Sequence, residues 1–132
     1  MSQETDELFR GWITELKSWA DWIEIYHDGS FNLGKEIPLG LENSYDGVLI
    51  QNIGIKDNAG KDAFGDDIIE FDNTDIGGMK GRARIIYEYD RTLVPAPGWY
   101  LETKDKRILK QWPFGFKIIG NYLENPELLD SE

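Results

Sequence analysis

Turn-forming residues break this chain roughly every ten positions, a spacing that admits short strands and little else. Turns are expected at His27-Asp28-Gly29-Ser30, at Asp57-Asn58-Ala59-Gly60 and along 72–78. Further breaks fall at Val94-Pro95-Ala96-Pro97-Gly98 and at Thr103-Lys104-Asp105-Lys106. Glycine, asparagine and aspartate suit such places because they accept a positive φ or bond their own backbone. Between the turns lie segments rich in β-branched and aromatic residues, at 22–26, 31–33, 48–53, 67–71, 82–89, 99–102 and 116–122. In 82–89, Arg82, Arg84 and Glu88 alternate with Ala83, Ile85, Tyr87 and Tyr89, the period of a half-buried strand, broken once by Ile86. The expected fold is mainly β, with short antiparallel strands.

The 132 residues predict one domain, and the seventeen aromatic side chains supply it with ample core area. There is no cysteine, which excludes disulfides and thiolate metal sites and fits a reducing cytoplasm. The start, 1–7, is polar and acidic where an export signal needs basic then apolar residues, and it reads as a flexible tail. A second tail is expected after Leu129. No apolar run approaches the roughly 20 residues that a membrane-spanning helix needs. A net charge of −11 opposes nonspecific attraction to nucleic acid or anionic membrane. That charge is unevenly spread. Nine basic residues and only four acidic ones occupy 80–117, a local +5 that leaves −16 for the rest.

Two segments carry a resemblance. One runs Ile53-Gly54-Ile55-Lys56-Asp57-Asn58-Ala59-Gly60-Lys61-Asp62-Ala63-Phe64-Gly65-Asp66-Asp67-Ile68-Ile69-Glu70-Phe71. The other runs Ile118-Ile119-Gly120-Asn121-Tyr122-Leu123-Glu124-Asn125-Pro126-Glu127-Leu128-Leu129. Together they resemble the YopX-like phage protein family, whose members read G-L-K-D-K-N-G-K-E-I-Y-E-G-D-I-V and end in I-G-N-I-Y-E-N-P-E-L-L. The resemblance implies a single domain over 8–129, with N-terminal strands in 8–47 and an SH3-like small barrel in 48–129. It implies a phage or prophage setting and supplies no activity. Where the family has Tyr-Glu-Gly-Asp, this chain has Phe64-Gly65-Asp66-Asp67. The glycine has moved by one position, so a turn that needs positive φ there must be built differently. Ala63 stands where the family carries a bulkier apolar residue.

The resemblance also bears on the N-terminus. Phe9, Trp12, Ile13, Leu16, Trp19, Ala20 and Ile23 recur at helical spacing, which by periodicity alone gives an amphipathic helix over 6–23. Leu8-Phe9-Arg10-Gly11-Trp12, however, resembles a strand that opens the family's domain, and Gly11 would weaken a helix by about 1 kcal/mol relative to alanine. The expectation is a strand at 8–12 and a helical turn within 14–20.

No motif singles out catalysis. The acidic cluster Asp62, Asp66, Asp67, Glu70, Asp72 and Asp75 is the nearest thing to a Ca²⁺ or Mg²⁺ site. Yet Asp67 and Glu70 would point to opposite faces of a strand. The loop beginning at Asp57 has Ile68 where a calcium loop has its last acid, so structural or solvated roles are expected. His27 is the only histidine, which excludes a histidine-based triad or multi-histidine metal site within one chain. Gly77-Gly78-x-x-Gly81 lacks the lysine of a phosphate loop and reads as a hairpin.

The expectation is therefore a non-enzymatic binding module without cofactor or metal, acting in the bacterial cytoplasm on a phage or host protein, with no membrane association. The alternative is a small barrel that binds nucleic acid through Arg82, Arg84, Lys104, Lys106 and Arg107 with neighbouring aromatics. Self-association through a free strand edge is a third reading.

Overall fold

Alternation of β-branched and aromatic residues with polar ones yields a mainly β structure whose strand pairings, among the described residues, are antiparallel. The computed structural model describes residues 8–36, 42–109 and 111–130. Within them the strands are β1 (Phe9–Ile13), β2 (Ser18–Trp19), β3 (Trp22–Ile25), β4 (Phe31–Glu36), β5 (Glu42–Tyr45) and β6 (Gly47–Lys56). They continue with β7 (Asp62–Phe64), β8 (Asp67–Asp72), β9 (Lys80–Glu88), β10 (Gly98–Glu102), β11 (Ile108–Leu109) and β12 (Lys117–Asn121). One short helix, α1 (Glu127–Asp130), follows, so Asp130 is helical where the sequence predicts a tail. The tail expected at 1–7, and Lys110 of the basic segment, lie outside the described residues. The chain divides into two compact units, Met1–Gln51 and Asn52–Glu132.

In the first unit β1 pairs with β2 and with the first half of β6, while β3, β4 and β5 form a meander. The strand expected at 8–12 is present as β1. The helical turn expected within 14–20 is not: a turn at 14–17, with Lys17 at φ 52°, leads directly into β2. The misleading periodicity has a simple origin. Trp12 and Trp19, seven residues apart, would share a helix face, but they are partners across the β1–β2 hairpin, their rings meeting edge to face at 4.9 Å. Gly11 suits this strand, because a β-carbon there would lie 2.4 Å from Leu33 Cδ2. Among the described residues, Trp12, Ile13, Leu33 and Ile50 are the buried apolar residues of this unit. The expected turn at 27–30 joins β3 to β4, with Gly29 at φ 91° and the Asp28 carboxylate accepting the N–H and hydroxyl of Ser30.

The second unit is a five-stranded sheet in the order β11-β10-β9-β8-β12, curled into a half-barrel. That arrangement is consistent with the small SH3-like barrel implied by the resemblance. Its core is Ala63, Ile69, Phe71, Ala83, Ile85, Leu101, Phe116 and Ile118. The turns expected at 57–60 and 103–106 are present, and a 3-10 helix at Thr74–Ile76 fills the 72–78 connection. Gly77, left-handed at φ 82°, ends that helix, so the glycines of 77–81 serve the β8–β9 hairpin.

Gly47 faces the Trp12 carbonyl so closely that an added β-carbon would sit 2.0 Å from the oxygen, which belongs to a paired strand and has no room to retreat. Gly47→Ala is expected to destabilise the protein by about 2–3 kcal/mol, by overpacking. The reading is a lower urea midpoint at unchanged slope.

Candidate functional site

Both signature segments turn out to be halves of one structural lock in the second unit. The Asp57 carboxylate, 8% exposed, sits at its centre. Oδ1 accepts the N–H groups of Ala59 and Lys61, shaping the 57–61 turn, and Oδ2 accepts the N–H of Ile118 on β12. The N–H of Asn58 donates to the Phe116 carbonyl at 2.9 Å beside it. Burial pushes the Asp57 pKa up. The three N–H donors (of Ile118, Lys61 and Ala59) and the charge of Lys61 outweigh that effect and hold it below the ordinary 3.8.

A second contact between the same segments lies at 64–67. Asp67, 2% exposed, accepts the Phe64 N–H with Oδ2 and the Asn121 amide with Oδ1, at 2.8 and 3.0 Å. The Tyr122 N–H donates to the Asp66 carbonyl, and Asn121 Oδ1 accepts the Leu123 N–H. Gly120 completes the fit, because a β-carbon there would lie 2.5 Å from Leu128 Cδ1. Asp66 occupies the position of the family's glycine and itself takes φ 67°. The left-handed conformation is thus kept without glycine, by a residue type that tolerates it. Its N–H donates to the Ile85 carbonyl and its carboxylate accepts from Arg84 Nε at 3.0 Å.

The basic residues named from sequence fall into two groups. Arg82 and Arg84 lie on β9, flanking the buried Ala83 and directed away from the core. Arg82 donates to Glu70 through Nε and Nη2 and to the Leu128 carbonyl through Nη1. Arg84 pairs with Asp66, approaches Glu102 at 3.9 Å, and lies over the Tyr122 ring at 3.9 Å. Lys104, Lys106 and Arg107 sit in the exposed β10–β11 turn, where Lys106 takes φ 69°. The acidic cluster is likewise dispersed: Asp62 pairs with Lys56, Asp66 with Arg84 and Glu70 with Arg82, while Asp72 accepts from Thr74. Among the described residues no three His, Asp or Glu side chains converge in a way that could hold a metal. His27 is exposed in its turn.

What the sequence reading missed is an apolar groove of about 380 Å³, lined by Ile53, Ile55, Trp99, Trp112, Pro113 and Phe116. It is the core continued outward. Ile85 and Leu101 are buried partners on β9 and β10, and two residues along the same face Tyr87 partners Trp99, their rings 5.2 Å apart. The register slip between Asn52 and Lys56 on β6, with Gly54 at φ 88°, lies at the stretch that carries Ile53 and Ile55. The 111–116 loop is tethered three times. Trp112 Nε1 donates to the Trp99 carbonyl at 3.2 Å, the Phe114 N–H donates to Asn73 Oδ1 at 2.9 Å, and the Phe116 carbonyl accepts from Asn58. Held this way, the Phe114 side chain remains 88% exposed. The signal was available: Trp112-Pro113-Phe114-Gly115-Phe116 places three aromatics in five residues around a proline and a glycine.

The family model described as YopX protein matches residues 8–130. The chain belongs to the YopX family. Both segments of the lock fall inside that match. Among solved structures, protein EF1440 from Enterococcus faecalis is similar at 24% identity and a TM-score of 0.56, over 92% of this chain and 96% of that one. At that identity the likeness concerns the fold. No curated protein matches this YopX chain. Among the described residues no helix is long and apolar enough to cross a membrane.

Removing the Asp57 carboxylate strands three backbone donors, one of them inside the β12 start. Asp57→Ala is expected to lose on the order of 2–3 kcal/mol at neutral pH. Because folding lowers this pKa, its contribution is complete above 3.8 and is lost as pH falls below that value. The gap between wild type and Asp57→Ala in urea unfolding should therefore hold steady down to that pH and narrow below it.

Proposed function

We propose that this YopX-family chain is a non-enzymatic protein-binding module of a bacteriophage or prophage, acting in the bacterial cytoplasm, and that the Trp99/Trp112 groove is its binding surface. The observation that carries this reading is the groove itself. It is open and aromatic-lined, its six lining residues are uncharged, and its walls are fixed by the sheet and the tethered loop. Such sites bind by ring and aliphatic contact. Several charged residues of the unit support the same reading from the other side, since Asp57, Asp66, Asp67, Glu70, Arg82 and Arg84 are committed to ion pairs and turn-shaping hydrogen bonds. The phage setting follows the family resemblance, and the cytoplasm follows that setting and the cysteine-free composition.

The nucleic-acid alternative loses its two central residues to structural roles, Arg82 to Glu70 and Leu128, Arg84 to Asp66 and Tyr122. What it retains is the Lys104, Lys106 and Arg107 turn.

The test uses Ile55→Glu, which sets a charge on the groove wall at a residue already partly exposed. Tagged wild type and variant are each co-expressed with the untagged chain in bacteria, and captures are compared after nuclease treatment. Proteins retained by wild type and lost by Ile55→Glu, further copies of the chain included, support the groove. Equal capture by both, or capture that disappears with nuclease, overturns it.

A further inference from the structure

Aspartate followed by glycine is open to backbone rearrangement, because no β-carbon shields the glycine nitrogen from the neighbouring carboxyl. The chain contains this dipeptide twice, at Asp28-Gly29 and Asp46-Gly47, and the fold treats the two differently. Gly47 is the first residue of β6, partnered with Ile13, and a β-carbon on it would lie 2.0 Å from the Trp12 carbonyl oxygen. Its peptide has no space in which to turn. His27, Asp28, Gly29 and Ser30 are all exposed. Gly29 stands at φ 91°, and nothing lies within 4 Å of the place its β-carbon would take. Two contacts restrain this turn. The Gly29 N–H donates to the Tyr26 carbonyl at 3.0 Å, and Asp28 Oδ1 accepts the N–H and the hydroxyl of Ser30 at 2.9 and 2.6 Å. The Ser30 hydroxyl and N–H hold the Asp28 carboxyl below its ordinary range, in the ionised form that is the poorer electrophile.

We propose that Asp28 is the site at which the backbone of this protein isomerises, with Ser30 as the brake. In the first step the Gly29 nitrogen attacks Asp28 Cγ. An N–C bond forms, and the amide proton leaves as water with the hydroxyl of the protonated carboxyl. Water then opens the five-membered imide. Cleavage between the Gly29 nitrogen and Cγ restores aspartate. Cleavage between that nitrogen and the Asp28 main-chain carbonyl leaves the chain running through the former side chain, as isoaspartate. The water lost is regained, nothing is oxidised, and no co-reactant is required. The product differs where it matters to the hairpin. The main chain between β3 and β4 gains a carbon, and the carboxylate that shaped the turn leaves its place beside Ser30. The Ile25–Phe31 pair, which adjoins the turn, is the first to feel the change.

Folded and guanidinium-denatured protein are incubated side by side in warm neutral buffer, and isoaspartate is located by peptide mapping and by enzymatic carboxyl methylation. The denatured chain should form it at both Asp28 and Asp46, and the folded chain at Asp28 alone. Ser30→Ala should accelerate the reaction of the folded protein several-fold and leave the denatured rate unchanged. Asp28→Glu should remove the signal from the turn, because its imide would need a six-membered ring. A folded chain without isoaspartate at Asp28, when the denatured chain forms it, overturns the proposal. Formation in the folded chain at Asp46 as readily as at Asp28 overturns it too. A folded Ser30→Ala that reacts at the wild-type rate overturns the role given to Ser30.

Discussion

One carboxylate organises the second unit. Asp57 ties the turn that follows β6 to the strand that closes the sheet sixty-one residues later, answering three backbone N–H groups with two oxygens. In a small β unit without disulfides, such a tie sets where the last strand lies, since among the described residues β12 finds ladder partners only on β8. The Asp67–Asn121 pair repeats the device at the other end of β12. Between them they place Phe116 and Ile118 in the core and bring the C-terminal segment across Arg82 and Arg84. In this chain the two segments that carry the family resemblance therefore hold the second unit together.

Charge shows how register redistributes what sequence displays. Along the chain, 80–117 is conspicuously basic against an acidic remainder. In the sheet, antiparallel pairing sets Arg82 opposite Glu70 and Arg84 opposite Ile68 on one side and Glu102 on the other. Two of the five residues that looked like an interaction patch are thus answered by neighbouring strands. The acids that looked like a metal cluster answer them in turn. A linear excess becomes a set of local pairs, each worth little alone in partly exposed surroundings.

Much of the architecture was legible because turns and strands are local. The Gly29 and Gly60 turns, the strands flanking them and the long β9 are all read from residues close together in sequence. The two-residue strands β2 and β11 were not, because so short a segment acquires its conformation from its partner. The N-terminal tryptophans show the opposite failure: a spacing of seven satisfies both a helix face and a hairpin pair, and local spacing alone does not choose between them. At Asp66 the sequence announced a displaced glycine but not the solution, a left-handed aspartate braced by Arg84 from another strand. The groove was least legible of all. Its walls come from β6, β10 and the 111–116 loop, and no local pattern says that these meet.

Phe116 belongs at once to the buried core and to the groove, and Ile53, Trp99 and Trp112 pack against that core while lining the cleft. Occupancy and folding are consequently linked through shared atoms. A molecule seated there shields the same rings that the folded state must keep from water and has no counterpart site on the unfolded chain. At a hundredfold excess over its dissociation constant such a molecule adds about 2.7 kcal/mol to stability. On the reading of the groove as a binding surface, the melting temperature of this protein would rise with the concentration of any molecule that binds there.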